Sequence, residues 1–180
     1  MPVTRKLLAS LAIALSFVLS AQSPSIAGHT TKFKEKEGFE QNRKDIINTL
    51  KDNQVTQFQS LLDGLSLAFG LDKTLKGVGP FTIFAPSDRA FKHINDGDLQ
   101  SLFSDKKKLR RVLEYHIVSG KLDSAALKSA MKVKTMEGHE VTINTHGTDM
   151  YAEKALVSTS DIPCSNGIIY VLDEVMWPPQ

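Results

Sequence analysis

The stretch that decides the fold is residues 79–91, GPFTIFAPSDRAF. Its first half is rich in aromatic and β-branched residues, which favours a short strand, and Pro86 ends the strand because proline has no N–H to donate. Ser87 follows in the position of a helix N-cap, and Ala90 and Phe91 fall on one face of the helix that it would begin. The sequence therefore predicts a strand that leads directly into a helix.

Helical patterns surround this stretch. The pattern predicts a first helix capped by Asn42, with Asp45 in its first turn and an apolar face. A second helix is predicted around residues 55–65, and further helices around 99–103 and 106–114, with one more starting at Asp123 or Ser124. The apolar positions that define the first two helices are Ile46, Ile47, Leu50, Val55, Phe58, Leu61, Leu62 and Leu65.

Beyond residue 130 the helical period is lost and short β-type runs alternate with turns. A strand is also predicted at residues 115–118. Ser165-Asn166-Gly167 predicts a hairpin turn, in which Asn166 and Gly167 would supply positive φ angles before the strand at 168–172. Because helices dominate the first half and strands the second, the expected class is α+β and not an alternating parallel α/β sheet.

The N-terminus has the features of a cleavable signal peptide. Arg5 and Lys6 precede an apolar run at residues 7–21, and Ser25-Ile26-Ala27 is a small-x-small cleavage site. The run is shorter than the roughly 20 residues of a spanning helix, so cleavage after Ala27 is favoured over a membrane anchor. The predicted organisation is a signal peptide at 1–27, a flexible polar leader at 28–41 and one domain at 42–178. The expected product is secreted or periplasmic, with no stable membrane insertion, and the short signal peptide suggests a bacterial source.

Charge argues against nucleic acid as a partner. The formal net charge is +2, and it falls to zero once Arg5 and Lys6 leave with the signal peptide. The basic cluster at residues 106–111 is interpreted as the solvent face of a helix, with Leu109, Val112 and Leu113 on its other face. A neutral domain with scattered charges has no electrostatic footprint for nucleic acid.

Residue types and spacings give little support to an enzyme or a metalloprotein. The one cysteine, Cys164, excludes an internal disulfide, and it is interpreted as a small buried hydrophobe, with pairing between chains as the alternative. No two of the five histidines have His-x-x-x-His spacing, so no metal site or cofactor is predicted. A weak metal site made by His139 and His146 facing each other across a hairpin, near Asp149, stays open. The sequence also has no nucleophile elbow, phosphate-binding glycine loop or dinucleotide fingerprint, and Asp173 and Glu174 should point apart on a strand.

Three segments, in order and in register, resemble the fasciclin domain family. The first is residues 79–91. The second is residues 113–118, LEYHIV, which resembles the Tyr-His motif, and the third is residues 165–175, SNGIIYVLDEV, which resembles the second long motif. This chain has Tyr170 where the family often has histidine. The resemblance extends over roughly residues 42–178.

The resemblance implies a wedge of two β-sheets with helices packed over one side, and an adhesive function without catalysis. The expected product is a monomeric binding module that recognises a protein or polysaccharide at the cell surface, in the periplasm or in a matrix. The alternative is a carrier for a lipid or small molecule. The family's Tyr-His motif implies a binding role for Tyr115 and His116, whereas their residue types also suit internal packing and hydrogen bonding.

Overall fold

A seven-stranded mixed sheet forms the centre of the structure, a computed structural model that describes residues 43–52 and 57–180. The strand order is β2-β1-β7-β6-β5-β4-β3. The pair β1–β7 is parallel, and the other neighbouring pairs are antiparallel. The strands are β1 (Phe81–Pro86), β2 (Ile117–Ser119), β3 (Lys132–Lys134), β4 (Glu140–His146), β5 (Asp149–Ala152), β6 (Ala155–Cys164) and β7 (Gly167–Leu172).

Helices make up most of the described residues up to residue 130. Within the described residues they are α1 (Ile46–Asp52), α2 (Gln59–Leu67), α3 (Leu71–Leu75), α4 (Asp88–Lys92), α5 (Asp96–Ser104), α6 (Lys106–Tyr115) and α7 (Ser124–Ala130). Together with the sheet they confirm the expected α+β class.

The sheet bends at β6, which both of its halves share. The start of β6 pairs with β5, and the rest pairs with β7 through register shifts between Val157 and Ile162. Register shifts bend a strand and increase its twist. The bend folds the sheet into the expected wedge, and a single bridge between Val118 and Thr135 connects its two outer strands.

Two hydrophobic cores lie on opposite faces of the central strands. Along β1, Ile83 and Ala85 enter the core beneath the helices, whereas Phe84 enters the core inside the wedge. Strand β7 alternates in the same way, with Ile169 facing the helices and Tyr170 facing inward. Both strands are buried on both faces, as a strand at the centre of a layered fold must be. Helices α1 to α6 contribute to the first core, whereas α7 contributes Leu127 to the second.

Two helices begin where the sequence predicts, and in each the N-cap side chain belongs to the residue just before the helix. Ser87 Oγ accepts the N–H of Ala90 at 3.3 Å, and Asp123 Oδ1 accepts the N–H of Ala126 at 2.8 Å, as predicted. The first helix begins later than expected: Asp45 precedes α1 and its Oδ1 accepts the N–H of Asn48 at 2.8 Å. The predicted cap Asn42 lies outside the described residues.

The hairpin between β6 and β7 forms where it was predicted, but the expected reason was wrong. Cys164 pairs with Gly167, so Ser165 and Asn166 make a two-residue loop. Neither Asn166 nor Gly167 has a positive φ. Glycine is needed at 167 for another reason, because a Cβ there would lie 2.1 Å from the carbonyl oxygen of Phe81. The close approach of two backbones, and not the turn angle, excludes a side chain.

The predicted signal peptide and leader, residues 1–41, lie outside the described residues, as does Val55 of the second predicted helix. In the part of the chain that the structure describes, no helix is both long enough and apolar enough to cross a bilayer. The boundaries at 27, 42 and 178 stay predictions.

Candidate functional site

Helix α6 carries the Tyr-His segment at its C-terminal end. Asp105 begins the helix, and its Oδ1 accepts the N–H groups of Lys107 and Lys108 at 2.9 and 3.1 Å. As expected, Leu109, Val112 and Leu113 are buried beneath a basic solvent face. The predicted strand at 115–118 was wrong in its first half, because Tyr115 ends the helix and β2 begins at Ile117. Residue 116 continues the spacing of 109, 112 and 113, so the helical face extends to His116.

His116 is buried and uses both ring nitrogens within the protein. It is 1% exposed. Its Nε2 accepts the backbone N–H of Met176 at 3.0 Å, and its Nδ1 lies 2.8 Å from the carbonyl oxygen of Val112. A carbonyl only accepts, so Nδ1 must carry the proton and the ring must be neutral. Burial lowers the pKa of His116 to about 4, although the hydrogen bond to Val112 opposes that shift.

We expect His116 to make the domain acid-sensitive. Its pKa is about 4 in the folded chain and 6.5 in a model peptide, so between these values the unfolded chain binds more protons. The free energy of unfolding should therefore fall as the pH drops from about 6.5 to about 4, by on the order of 3 kcal/mol from this ring. Denaturant unfolding across that range, in the wild type and in His116→Gln, measures the difference. Equal pH dependence in the two proteins would contradict the assignment.

Tyr115 is also buried, and its hydroxyl contacts a different part of the fold. It lies 3.2 Å from the carbonyl oxygen of Glu140 and 3.4 Å from Glu153 Oε1, and both are acceptors for its proton. Burial and the Glu153 carboxylate raise the pKa of Tyr115 to about 12. The phenol therefore stays neutral as a hydrogen-bond donor that connects the end of α6 to the turn after β5.

Tyr115 and His116 share no hydrogen-bond partner, and both side chains are buried. The structure therefore places both predicted site residues inside the domain. Direct contact of these side chains with a binding partner stays a prediction.

His116 holds the C-terminal strap, which we define as residues 173–180. Arg111 donates from Nη2 to the carbonyl oxygen of Pro179, and the ammonium of Lys108 lies 5.8 Å from the centre of the Trp177 ring. The strap therefore lies against α6. Trp177 nevertheless stays 44% exposed, which is unusual for the largest apolar side chain.

Two grooves meet at Trp177. The first, which we call the basic groove, has a volume of about 580 Å³ and lies between α6 and the strap. The second has a volume of about 300 Å³ and lies between the strap and the segment around α4 and α5. The basic groove is lined by Asp105, Lys107, Lys108, Arg111, Val112, Trp177, Pro178 and Gln180. The second is lined by Ala90, His93, Ile94, Asn95, Asp98, Glu174, Val175 and Trp177.

His139 and His146 do not face each other across a hairpin, as the possible metal site assumed. His139 precedes β4 and His146 ends it, so about 20 Å of extended chain separates them instead of a hairpin. His139 Nδ1 contacts Glu137 Oε2 at 2.7 Å, whereas the His146 ring packs edge-on against Tyr151 at 5.5 Å. In the described residues no three His, Cys, Asp or Glu side chains come together as metal ligands.

Cys164 is buried and free within the described chain, as its interpretation as a small hydrophobe requires. Its Sγ lies 3.4 Å from Thr49 Oγ1. Burial raises the pKa of the thiol, although the contact with Thr49 opposes that shift. A neutral, covered thiol is a poor nucleophile.

Asp173 and Glu174 diverge, as expected, although both lie after β7 and not on a strand. Asp173 Oδ1 accepts the N–H of Leu156 at 2.7 Å, whereas Glu174 lines the second groove. The two carboxylates therefore do not converge on one site.

Comparison with known protein families matches residues 53–178 to the Fasciclin domain. The chain belongs to the fasciclin domain family. Protein sll1483 of Synechocystis sp. is 36% identical over 136 residues, which cover 74% of this chain and 73% of that protein. The rabbit transforming growth factor-beta-induced protein ig-h3 is 30% identical over 109 residues, or 61% of this chain and 16% of that protein. Mouse Stabilin-1 is 34% identical over 143 residues, or 76% of this chain and 5% of that protein.

Solved structures show the same fold. A domain pair from the insect cell adhesion molecule Fasciclin I superposes with a TM-score of 0.61 at 15% identity, covering 75% of this chain and 51% of that one. This fasciclin domain thus corresponds to a small part of the animal relatives and to about half of that domain pair.

Tyr170, where this fasciclin domain departs from the frequent histidine, is a structural residue. Its hydroxyl lies 2.9 Å from the carbonyl oxygen of Leu122 and 2.8 Å from Asp161 Oδ1. Burial, followed by the hydrogen bond to Asp161, raises the pKa of its phenol.

Sequence reasoning missed the two grooves of this fasciclin domain. The sequence did not single out Trp177, and the basic residues of α6 were predicted only as a solvent face. The available signal was the position of Trp177, which lies between Met176 and two prolines and outside any regular element. A large ring at such a position is only partly covered.

Proposed function

We propose that this fasciclin domain is an exported binding module that attaches to a protein or polysaccharide of the cell surface, periplasm or matrix. The observation that carries the proposal is an exposed tryptophan between two surface grooves, on a scaffold whose described buried polar side chains are all hydrogen-bonded. A module that only binds needs a rigid scaffold and an accessible anchor, and aromatic side chains are the commonest anchors of interfaces.

The hydrogen bonding of the buried polar side chains supports a role as a scaffold. Every buried side-chain nitrogen or oxygen there has a hydrogen-bond partner. His116, which has a strongly lowered pKa, uses both nitrogens for Val112 and Met176. Its perturbed titration therefore belongs to the scaffold and does not indicate a proton donor for a substrate.

The carrier alternative has less support from the grooves. A carrier for a lipid or apolar small molecule needs a deep apolar cavity with a few polar groups. The basic groove and the second groove are open at the surface, and charged side chains contribute to both. We therefore favour a macromolecular partner that meets the domain at its surface.

Tyr115 and His116 have an indirect part in this proposal. His116 fixes the backbone of Met176 beside Trp177, and Tyr115 fixes the end of α6 on the wedge. We infer that the Tyr-His segment positions the groove walls, with its own side chains covered.

Retention of envelope components on the immobilised protein tests the proposal. Protein from the full chain should retain a component of the envelope or culture fluid saturably, and Trp177→Ala should weaken retention by about tenfold. Met131→Ala is the matched control, because Met131 is 65% exposed and lines neither groove. Equal retention by the two variants would contradict an anchor at Trp177. A co-purifying lipid or small molecule without any macromolecular partner would favour the carrier.

We expect the signal peptide to be removed when the protein is exported. Protein recovered from outside the cytoplasm after expression of the full chain should begin at Gly28, because the small residues Ser25 and Ala27 suit signal peptidase. Intact-mass measurement gives the N-terminus, and Ala27→Arg should block the cut there. An N-terminus at Met1 in the exported protein would contradict cleavage.

A further inference from the structure

The first turn of α6 breaks a local rule of helix stability. Lys106, Lys107 and Lys108 occupy it, and no acidic residue does. The N-terminal end of a helix carries partial positive charge, so cations there are unfavourable. Asp105 offsets part of this effect as N-cap. Local rules are broken most often at functional sites, where the side chains have another task.

Two of these lysines line the basic groove together with Arg111 and Trp177. The Lys107 ammonium makes no hydrogen bond or ion pair with any part of the chain that the structure describes. Lys108 Nζ lies 3.4 Å from Ser101 Oγ and 5.8 Å from the centre of the Trp177 ring. Both ammonium groups are exposed and available to an anion.

The other charged side chains that line the basic groove, Asp105 and Arg111, already have partners within the protein. Asp105 accepts the two backbone N–H groups of Lys107 and Lys108. Arg111 Nε donates to Glu137 Oε1 at 2.8 Å, and Glu137 also accepts from His139. Three cationic side chains and one carboxylate side chain line the groove, so it attracts anions even with Arg111 partly neutralised.

We propose that the basic groove binds an acidic polysaccharide, a chain of sugar rings that carry carboxylates. This inference rests on the proposed binding function and names its ligand class and site. Lys107 and Lys108 bind carboxylates of the glycan, and the exposed part of Trp177, with Pro178 beside it, contacts the C–H face of a sugar ring. Because Lys108 lies close to the indole, a carboxylate held by Lys108 brings its own sugar ring next to Trp177.

A polysaccharide suits this groove better than an acidic peptide does. A peptide that adds a strand needs a free strand edge, and a peptide that binds as an amphipathic helix needs apolar anchors in an apolar groove. The walls here are a helix and the strap, so no strand edge is present, and Val112 is only 2% exposed. The planar face of the Trp177 indole beside separate cations matches a chain of sugar rings that presents C–H faces and regularly spaced carboxylates.

Binding of defined glycans to protein from the full chain tests the inference. The probes are oligogalacturonate, neutral dextran of similar length and poly-glutamate, measured by titration at low and at near-physiological salt. We expect saturable binding of oligogalacturonate that weakens as salt rises, and little binding of dextran. Lys107→Glu combined with Lys108→Glu should weaken binding by at least about tenfold, and Trp177→Ala by about tenfold.

The matched control is Lys128→Glu combined with Lys154→Glu, which changes the net charge equally at exposed positions outside the groove. It should bind as the wild type does. The groove variant should fold at least as stably as the wild type, since glutamates suit the first turn of a helix. Equal weakening in both double variants would overturn the site, and equal binding of poly-glutamate would overturn the ligand class. Saturable retention of an envelope component without any affinity for oligogalacturonate would overturn this inference and leave the proposed function standing.

Discussion

Replacing Gly167 by alanine should unfold the domain or lower its free energy of unfolding by roughly 4 kcal/mol or more. The added Cβ would lie 2.1 Å from Phe81 O and 2.8 Å from Ile46 Cδ1. Phe81 is the residue paired with Gly167 in the parallel ladder between β1 and β7, so its carbonyl cannot withdraw without separating the two strands. The total free energy of unfolding of a domain of this size is typically about 5–15 kcal/mol, so this loss is a large part of it.

Gly97→Ala is the matched control for this loss. Gly97 lies in the first turn of α5, its φ is not positive, and the atom nearest to an added Cβ is Asn95 Oδ1 at 3.5 Å. Alanine there should be neutral or stabilise the domain by up to about 1 kcal/mol. Urea unfolding of both variants measures the difference. A Gly167→Ala protein with wild-type stability would show that the two backbones are not in close contact.

The second large effect is expected at Asn166, which connects three segments of the chain. Its Oδ1 accepts the N–H of Ile46 at 3.0 Å, and its Nδ2 donates to the carbonyl oxygens of Leu75 and Gly77 at 2.7 and 2.8 Å. Asn166→Ala leaves the N–H of Ile46 and the carbonyl oxygen of Leu75 without partners in a buried place. Each unsatisfied buried group costs about 1–3 kcal/mol, so we expect a loss of about 3 kcal/mol or more.

Asn144→Ala serves as the control for Asn166. Asn144 lies on β4 and is exposed, so its replacement should change the free energy of unfolding by less than about 0.5 kcal/mol. Thermal and urea unfolding compare the two variants. If both variants lost equally little free energy of unfolding, water would have to replace the Asn166 amide, which would contradict its burial.

Short-range rules predicted much of this fold from the sequence. Ser87 and Asp123 cap their helices as expected, because an N-cap side chain reaches the N–H of a residue only three positions ahead. The hairpin at Ser165 and Asn166 was predicted for a similar reason, since its signal lies within a few adjacent residues. The family itself was recognised because three such local patterns occur in order.

Features that depend on distant contacts could not be predicted in the same way. The start of α2 is capped by Asp88, whose two carboxylate oxygens accept the N–H groups of Gln59 and Ser60 at 3.1 and 2.7 Å. The requirement for Gly167 comes from Phe81 on another strand. The basic groove forms only when the strap folds back onto α6. No spacing rule along the chain predicts these contacts.

The position of β1 between β2 and β7 has a consequence for the order in which the chain can fold. One neighbour of β1 begins at Ile117, but the other, β7, ends at Leu172. A nascent chain that stops before β7 leaves one whole edge of β1 without hydrogen bonds and the core beneath the helices without Ile169 and Val171. Closing such a long loop is slow, and native pairing has to wait for nearly the whole sequence to emerge. Helices α1 to α6 are thus synthesised first, whereas the sheet against which they pack is completed last.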